Sequence, residues 1–166
     1  VEPTRLINGD FHIWLPVTEF LDGEVYFLES DPYTTLTNPA NAPSPLTVSY
    51  YDGSNGAVAQ ASGRGYTRTR FENPSITAPG INIKGALPGN RFAVRSGSCA
   101  AAAITAGALM LEWQLYERKM PGIDVFQIKS LLILGAIRPD SMEYPNREWG
   151  YGQLNLYNTF EVMRQL

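Results

Sequence analysis

The chain's only cysteine, Cys99, lies in SGSCAAAAITAG, residues 96–107, where a small polar stretch gives way to four alanines. The alanines predict a helix, so the thiol stands at a helix N-terminus. Unpaired backbone N–H groups and the macrodipole favour negative charge there. A nucleophile placed so is positioned to attack a carbonyl carbon. The same junction also suits a small buried residue, the usual fate of a lone cysteine among alanines. His12 is the only histidine and sits in DFHIWLP between aromatics. Cys–His catalysis within this chain requires the fold to join those two segments, and a structural histidine is the simpler reading. One cysteine and one histidine make a Cys/His zinc site unexpected, and no other metal or cofactor is expected. The pairs Asp22/Glu24 and Asp140/Glu143 fall in turn-like polar stretches and read as solvated surface. GRG, PGN and GYG punctuate turns and do not form a phosphate loop, since no GxxxxGK[ST] or GxGxxG precedes a helix. Residue types and spacing alone therefore yield one candidate nucleophile and no complete active site.

The elements that must position Cys99 follow from length and pattern. At 166 residues, 44% apolar and 17% charged, the chain has the profile of a soluble protein with one core. No apolar run approaches the ~20 residues that span a bilayer, and the N-terminus shows no signal-peptide pattern. The formal net charge of −3, without a basic block, argues against nucleic acid or an anionic membrane as partner. The single cysteine allows no internal disulfide and leaves the redox compartment open. The chain opens on Val, as expected of a processed product or an excised piece.

RLINGDFHIWLP through GEVYFLES alternates roughly, is rich in aromatics and predicts two or three antiparallel strands. DPYTTLTNPANAPSP, with its prolines, reads as a loop or boundary. LTVSYY predicts a short buried strand, NPSITAPGINI a strand–turn–strand, and FAVR another strand. From Ala100 to about Arg118 the pattern is a helix buried on most sides. IDVFQIKSLLILGA predicts a second helix, with Val125, Ile128, Leu131 and Leu132 on one face and Gly135 as its stop. Leu156, Phe160 and Met163 mark a third. Strands followed by buried helices indicate an α/β layer architecture with a β appendage.

APGINIKGALPGNRFAVRSGSCAAAAITAGA closely resembles the nucleophile region of subtilisin-like serine proteases, where APG and LPGN lead into GTSMA and a helix. Ala78-Pro79-Gly80, Leu87-Pro88-Gly89-Asn90, Gly97 and Ala106-Gly107 take the matching places. YPNREWGYGQLNLYNTF resembles the family's closing motif. SGRGYTR, AAAITAG and YPNREWGYG look similar to the Csp-type germination protease branch of spore-forming bacteria, which carries an inserted β-sandwich. The resemblance covers residues 46–166, most specifically 78–108.

What the resemblance implies is the C-terminal part of a three-layer α/β/α fold with a parallel sheet, in residues 41–166. Residues 1–40 would be a β segment, the tail of the inserted sandwich. Cys99 takes the place of the catalytic serine. Its N–H, helped by the Ser98 hydroxyl, would stabilise an oxyanion, and Arg95, Ser96 and Gly97 would form an edge along which substrate backbone lies. The expected activity is endopeptidase acyl transfer on a peptide or protein substrate, in the resembling branch a protein zymogen.

Sulfur stands where the family has oxygen, and misplacement by about an ångström can cost ~100-fold. The change is expected to impair or trap the enzyme, whether it is natural or engineered. Ala103 and Ile104 replace the family's proline and histidine, as the Csp-type branch also does. No D[ST]G, HG[TH] or GNxG motif is present, so an N-terminal fragment of the same protease is the expected partner. It would supply Asp, His and the oxyanion Asn. The alternative is a pseudoprotease, a regulatory module that binds peptide or protein; a peptide-ligating variant is a smaller third. Export or spore association is the localisation the resemblance implies.

Overall fold

The structure is a computed structural model that describes residues 9, 11–16, 20–69, 71–119 and 121–165. The chain divides into two units, Val1–Asp31 and Pro32–Leu166. In the first, the described residues form no strand, which corrects the expected antiparallel strands; part of RLINGDFHIWLP lies outside the described residues. GEVYFLES has the alternation of a strand but pairs with no strand among the described residues. Its aromatic and apolar side chains stay exposed, Leu28 at 92%.

The second unit begins at Pro32, ahead of the boundary expected at 41. The proline-rich stretch is stitched to the 64–73 segment: Thr35 N–H donates to the Arg64 carbonyl at 3.0 Å, and Asn73 Nδ2 donates to the Ala40 carbonyl at 2.8 Å. Its centre is a parallel pair, β1 (Val48–Tyr51) and β2 (Ile76–Pro79), with Val48 opposite Ile76 and Tyr50 opposite Ala78. The closing segment adds a rung on the other edge of β2, where Thr77 bridges Gln153 in parallel. Strand, buried strand and rung give the parallel α/β sheet that the resemblance implies.

One face of this sheet is apolar and carries the helices. Tyr50, Ala78 and Ala101 pack together, and Ile76 packs with Leu132 and Ala136. The other face is polar. Ser49 and Thr77 are buried there and share a hydroxyl–hydroxyl hydrogen bond, and Ser49 Oγ donates to the Glu148 carbonyl at 2.7 Å. Two β-residues that would be costly alone are thus satisfied by each other and by the closing segment.

A separate antiparallel hairpin joins β3 (Ile83–Leu87) to β4 (Arg91–Arg95) through Pro88-Gly89-Asn90. Gly89 and Asn90 both have left-handed φ, at 76° and 56°, which explains why LPGN makes this turn. Helix α1 (Ser98–Lys119) follows at once. Its buried stripe is Ala101, Thr105, Ala108 and Glu112, on a three-to-four-residue period. The opposite face is open, with Met110 69% and Leu111 52% exposed. The expectation of burial on most sides is therefore met on one side only by the described residues.

Helix α2 (Val125–Leu134) starts with a capping box: Asp124 Oδ1 accepts from Gln127 N–H at 2.8 Å, and Gln127 Oε1 accepts from Asp124 N–H at 3.0 Å. Ile128, Leu131 and Leu132 are buried as predicted, whereas Val125 in the first turn is exposed. Gly135 ends the helix with φ −75°, so a left-handed cap is not what requires glycine. A Cβ there would lie 2.5 Å from the Thr159 backbone, so Gly135 is the contact through which α3 (Leu156–Gln165) seats on α2. Buried Thr159 and Met163 mark that contact face of α3, with Leu156 and Phe160 half-buried. No helix among the described residues is long and apolar enough to cross a membrane.

Candidate active site

Cys99 is exposed, in the first turn of α1, which rules out the reading of a small buried residue. Three contacts fix its position. Gly97 N–H donates to the Gly80 carbonyl at 2.7 Å, tying the turn to the end of β2. Ala101, two residues on and fully buried, locks the helix onto Tyr50 and Ala78. Ser96 Oγ accepts from Asn82 N–H at 2.9 Å, tying the end of β4 to the start of β3. Ser96 therefore positions the turn with its side chain.

Two glycines are needed here for different reasons. Gly97 has φ +137°, a conformation that a side chain would strain. Gly80 has no room: a Cβ would sit 2.7 Å from Tyr50 Cβ and 3.0 Å from the Gly97 carbonyl oxygen. The APG and SGS segments are thus two halves of one clamp, and Cys99 projects from its outer side.

Gly97 also starts the helix. Its carbonyl accepts from Ala100 N–H at 3.1 Å and from Ala101 N–H at 3.4 Å. The N–H groups of Ser98 and Cys99 precede those donors and have no carbonyl a full turn back within the helix. The first turn carries no acidic residue that would compete for them. This is the geometry of an anion-stabilising helix N-terminus with an exposed thiol beside it.

Ser98, Cys99 and Ala102 form one side of a cleft of about 670 Å³. A second wall is the proline-rich segment, including Leu36, Pro39 and Leu46; a third runs from Gln60 to Arg64. Arg64 is held by Glu148, Nε to Oε1 at 2.7 Å, an ion pair that braces the third wall from behind. The residue types expected to be a loop or boundary thus build a mostly apolar groove beside the thiol. Nothing in their local pattern marks this, because the groove exists only once residues 32–48 and 60–64 converge on α1.

His12 belongs to the first unit, is exposed, and stacks on Trp14 with centroids 5.4 Å apart. Because it is the only histidine, the unit that holds Cys99 contains no imidazole. Asp22, Glu24, Asp140 and Glu143 are exposed, in keeping with a solvated role. Arg95 and Ser98 are exposed and Gly97 is half-buried, and all three border the turn that carries Cys99.

The same helix holds an unforeseen group. Glu112 is fully buried, and neither carboxylate oxygen has a hydrogen-bond partner. Burial pushes its pKa up to about 8. The signal was its place on the Ala101–Thr105–Ala108 stripe, which outweighs the polar residues that follow it.

A family model described as the Subtilase family matches residues 28–152. The chain belongs to the subtilase family. Among solved structures it is similar to the Clostridium perfringens CspB protease, at 32% identity and TM-score 0.76 over 84% of this chain and 31% of that one. It is also similar to the patellamide maturation protease PatA, at 28% identity and TM-score 0.64 over 81% of this chain and 48% of that one. The prenylagaramide maturation protease PagA matches at 26% identity and TM-score 0.64, over 79% of this chain and 46% of that one. No curated protein matches the chain. It spans about a third to a half of the length of these solved subtilases.

Proposed function

We propose that this subtilase chain is the nucleophile-bearing part of an endopeptidase that cuts a protein substrate by acyl transfer. The observation that carries the proposal is the exposed Cys99 on the Gly80–Gly97 clamp, at the first turn of α1 and beside the apolar cleft. Sγ attacks the scissile carbonyl carbon, and the oxyanion is held by the Cys99 N–H with the Ser98 hydroxyl. Collapse forms a thioester and expels the amine, which takes the proton that the thiol gave up. Water then hydrolyses the thioester and frees the thiol.

The acid, base and second oxyanion donor come from the rest of the protease. Support for this lies in the missing imidazole, the open face of α1, and the greater length of the solved relatives. Two of those relatives are named maturation proteases, which favours limited processing of a protein over general digestion. Arg95, Ser96 and Gly97 offer the backbone edge along which the substrate lies. Sulfur in a site shaped for a hydroxyl lowers turnover, by up to ~100-fold for an ångström of misplacement.

The test is peptide cleavage by the whole protease with Cys99, Cys99→Ser and Cys99→Ala. Slow cleavage by Cys99, faster cleavage by the serine variant and none by the alanine variant is the expected order. Failure of both Cys99 and Cys99→Ser to cleave would replace the proposal with the pseudoprotease reading.

A further inference from the structure

Between Glu72 and Glu112 the chain has no Asp or Glu, although its net charge is −3. That interval contains the β3–β4 hairpin, the nucleophile turn and the first half of α1, and its charged residues are Lys84, Arg91 and Arg95. All three are exposed. The ion pairs among the described residues are Arg64–Glu148 and Arg164–Glu161, so no carboxylate of the described chain neutralises the hairpin.

The pairing register sorts these cations onto faces. Leu87 pairs with Arg91 and Ile83 with Arg95, and side chains alternate along a strand, so both arginines project from one face. They lie four residues apart, about 13 Å at ~3.3 Å per residue. Lys84 is on the other face, its Nζ lying 4.8 Å from the Phe92 ring centroid, beside exposed Val94. One face is thus a two-point cationic rail and the other is largely apolar. Among the described residues each arginine's side-chain hydrogen bond is a local one, Arg91 Nε to the Pro88 carbonyl at 3.3 Å and Arg95 NH1 to the Val94 carbonyl at 3.2 Å. Neither bond supplies counter-charge.

The strand bearing the rail runs without interruption into the nucleophile turn, with Ser96 and Gly97 between Arg95 and the helix. Among the described residues the sheet consists of β3 and β4, and the outer edge of β4 has no strand partner there. An extended peptide entering beside Cys99 can add to that edge, and its alternate side chains then fall in register with the arginines.

We propose that the Arg91/Arg95 face of β4 is a specificity rail for an acidic flank of the protein substrate, with two carboxylates four residues apart. This rests on the endopeptidase reading for the location of the scissile bond. The rail itself is a binding property, and it is measurable without turnover. Charge complementarity selects this occupant: the rail is cationic, and arginine suits carboxylates through its planar fork of donors.

The experiment uses the whole protease carrying Cys99→Ala, so that no turnover intervenes. Binding of fluorescein-labelled decapeptides is followed by anisotropy at low salt. One peptide carries a Glu-x-x-x-Glu pair, a second Lys-x-x-x-Lys, and a third neutral residues. The unaltered rail should prefer the glutamate peptide to the lysine peptide by about tenfold or more, and salt at ~0.5 M should erase most of the preference. The double variant R91E/R95E should invert the preference, and R91Q/R95Q should abolish it with little risk to folding. K84E, on the opposite face, should change it less than about twofold.

Equal binding of all three peptides, or an unaltered preference in R91Q/R95Q, would overturn the rail. A parallel cleavage assay with Cys99 intact, moving the glutamate pair outward on each side of the bond, separates the two readings. Cleavage indifferent to charge sinks the rail and leaves the protease. Charge-selective binding with no cleavage by Cys99 or Cys99→Ser sinks the protease and leaves the rail.

Discussion

Replacing Glu112 by Gln should make the protein more stable at alkaline pH and leave it nearly unchanged in acid. The carboxyl is fully buried, has no hydrogen-bond partner, and its pKa rises from 4.5 to about 8. Between those values the native state keeps a proton that the unfolded chain releases. The unfolded state then binds fewer protons, so stability falls as pH rises, by about 1.4 kcal/mol per pH unit. The full penalty, reached above pH 8, is about 5 kcal/mol, and about 3 kcal/mol of it is already present at pH 7.

Gln removes the ionisation while keeping size and an unpartnered polar head, so it isolates the charge from the packing. Thermal unfolding of the protein at pH 5 and pH 8 reads the effect. At ~2–4 °C per kcal/mol the variant should gain roughly 10 °C or more over the parent at pH 8 and ~0–3 °C at pH 5. A Glu112→Met variant, which also removes the unpartnered polar head, should gain at both pH values. Equal shifts of E112Q at the two pH values, or a loss of stability at pH 8, would refute the reasoning. Either result would mean that the carboxylate is ionised and paired in the intact protein.

The clamp and the helix seat make further predictions. Gly80→Ala should cost about 2–3 kcal/mol, because its Cβ meets Tyr50 and the Gly97 carbonyl, and it should slow Cys99 alkylation by a peptide probe. Gly135→Ala should cost a similar ~2–3 kcal/mol, read by denaturant unfolding, and increase hydrogen exchange in α3, since the new methyl meets the Thr159 backbone. Arg64→Ala should lower stability by only about 0.5–1 kcal/mol, because the Glu148 pair is partly exposed, and its larger effect should be weaker peptide binding in the cleft.

The short strands and three helices of the second unit were legible because each has a local cause. Alternation or apolar runs set β1, β2 and β4, and the apolar face of Ile128, Leu131 and Leu132 marked α2; the hairpin through Pro88-Gly89-Asn90 and the Asp124/Gln127 box emerge only in the structure. What local pattern does not show depends on something distant in sequence. GEVYFLES alternates like a strand but pairs with no strand among the described residues. Gly135 stops α2 as expected, but what requires glycine there is the space for Thr159, twenty-odd residues away. The proline-rich stretch is a loop as expected, and it becomes a wall of the cleft because Arg64 and Asn73 hold it in place.

Within the site, Cys99 was legible from the small residues around it, and its role came from the resemblance to the subtilase motif. That Ser96 spends its hydroxyl on Asn82 was not legible, since the hairpin geometry decides it. Glu112 was legible in principle from helix periodicity, but a carboxylate next to Trp113 and Gln114 looks like the start of a solvated end.

Intact-mass measurement of the whole protease after exposure to a peptidyl chloromethyl ketone tests the active-site assignment most directly. The native protein should gain one adduct per chain, mapped to Cys99, and none when it is unfolded before exposure. A native protein that gains no adduct, while the unfolded chain reacts at Cys99 with a simple thiol reagent, would contradict it.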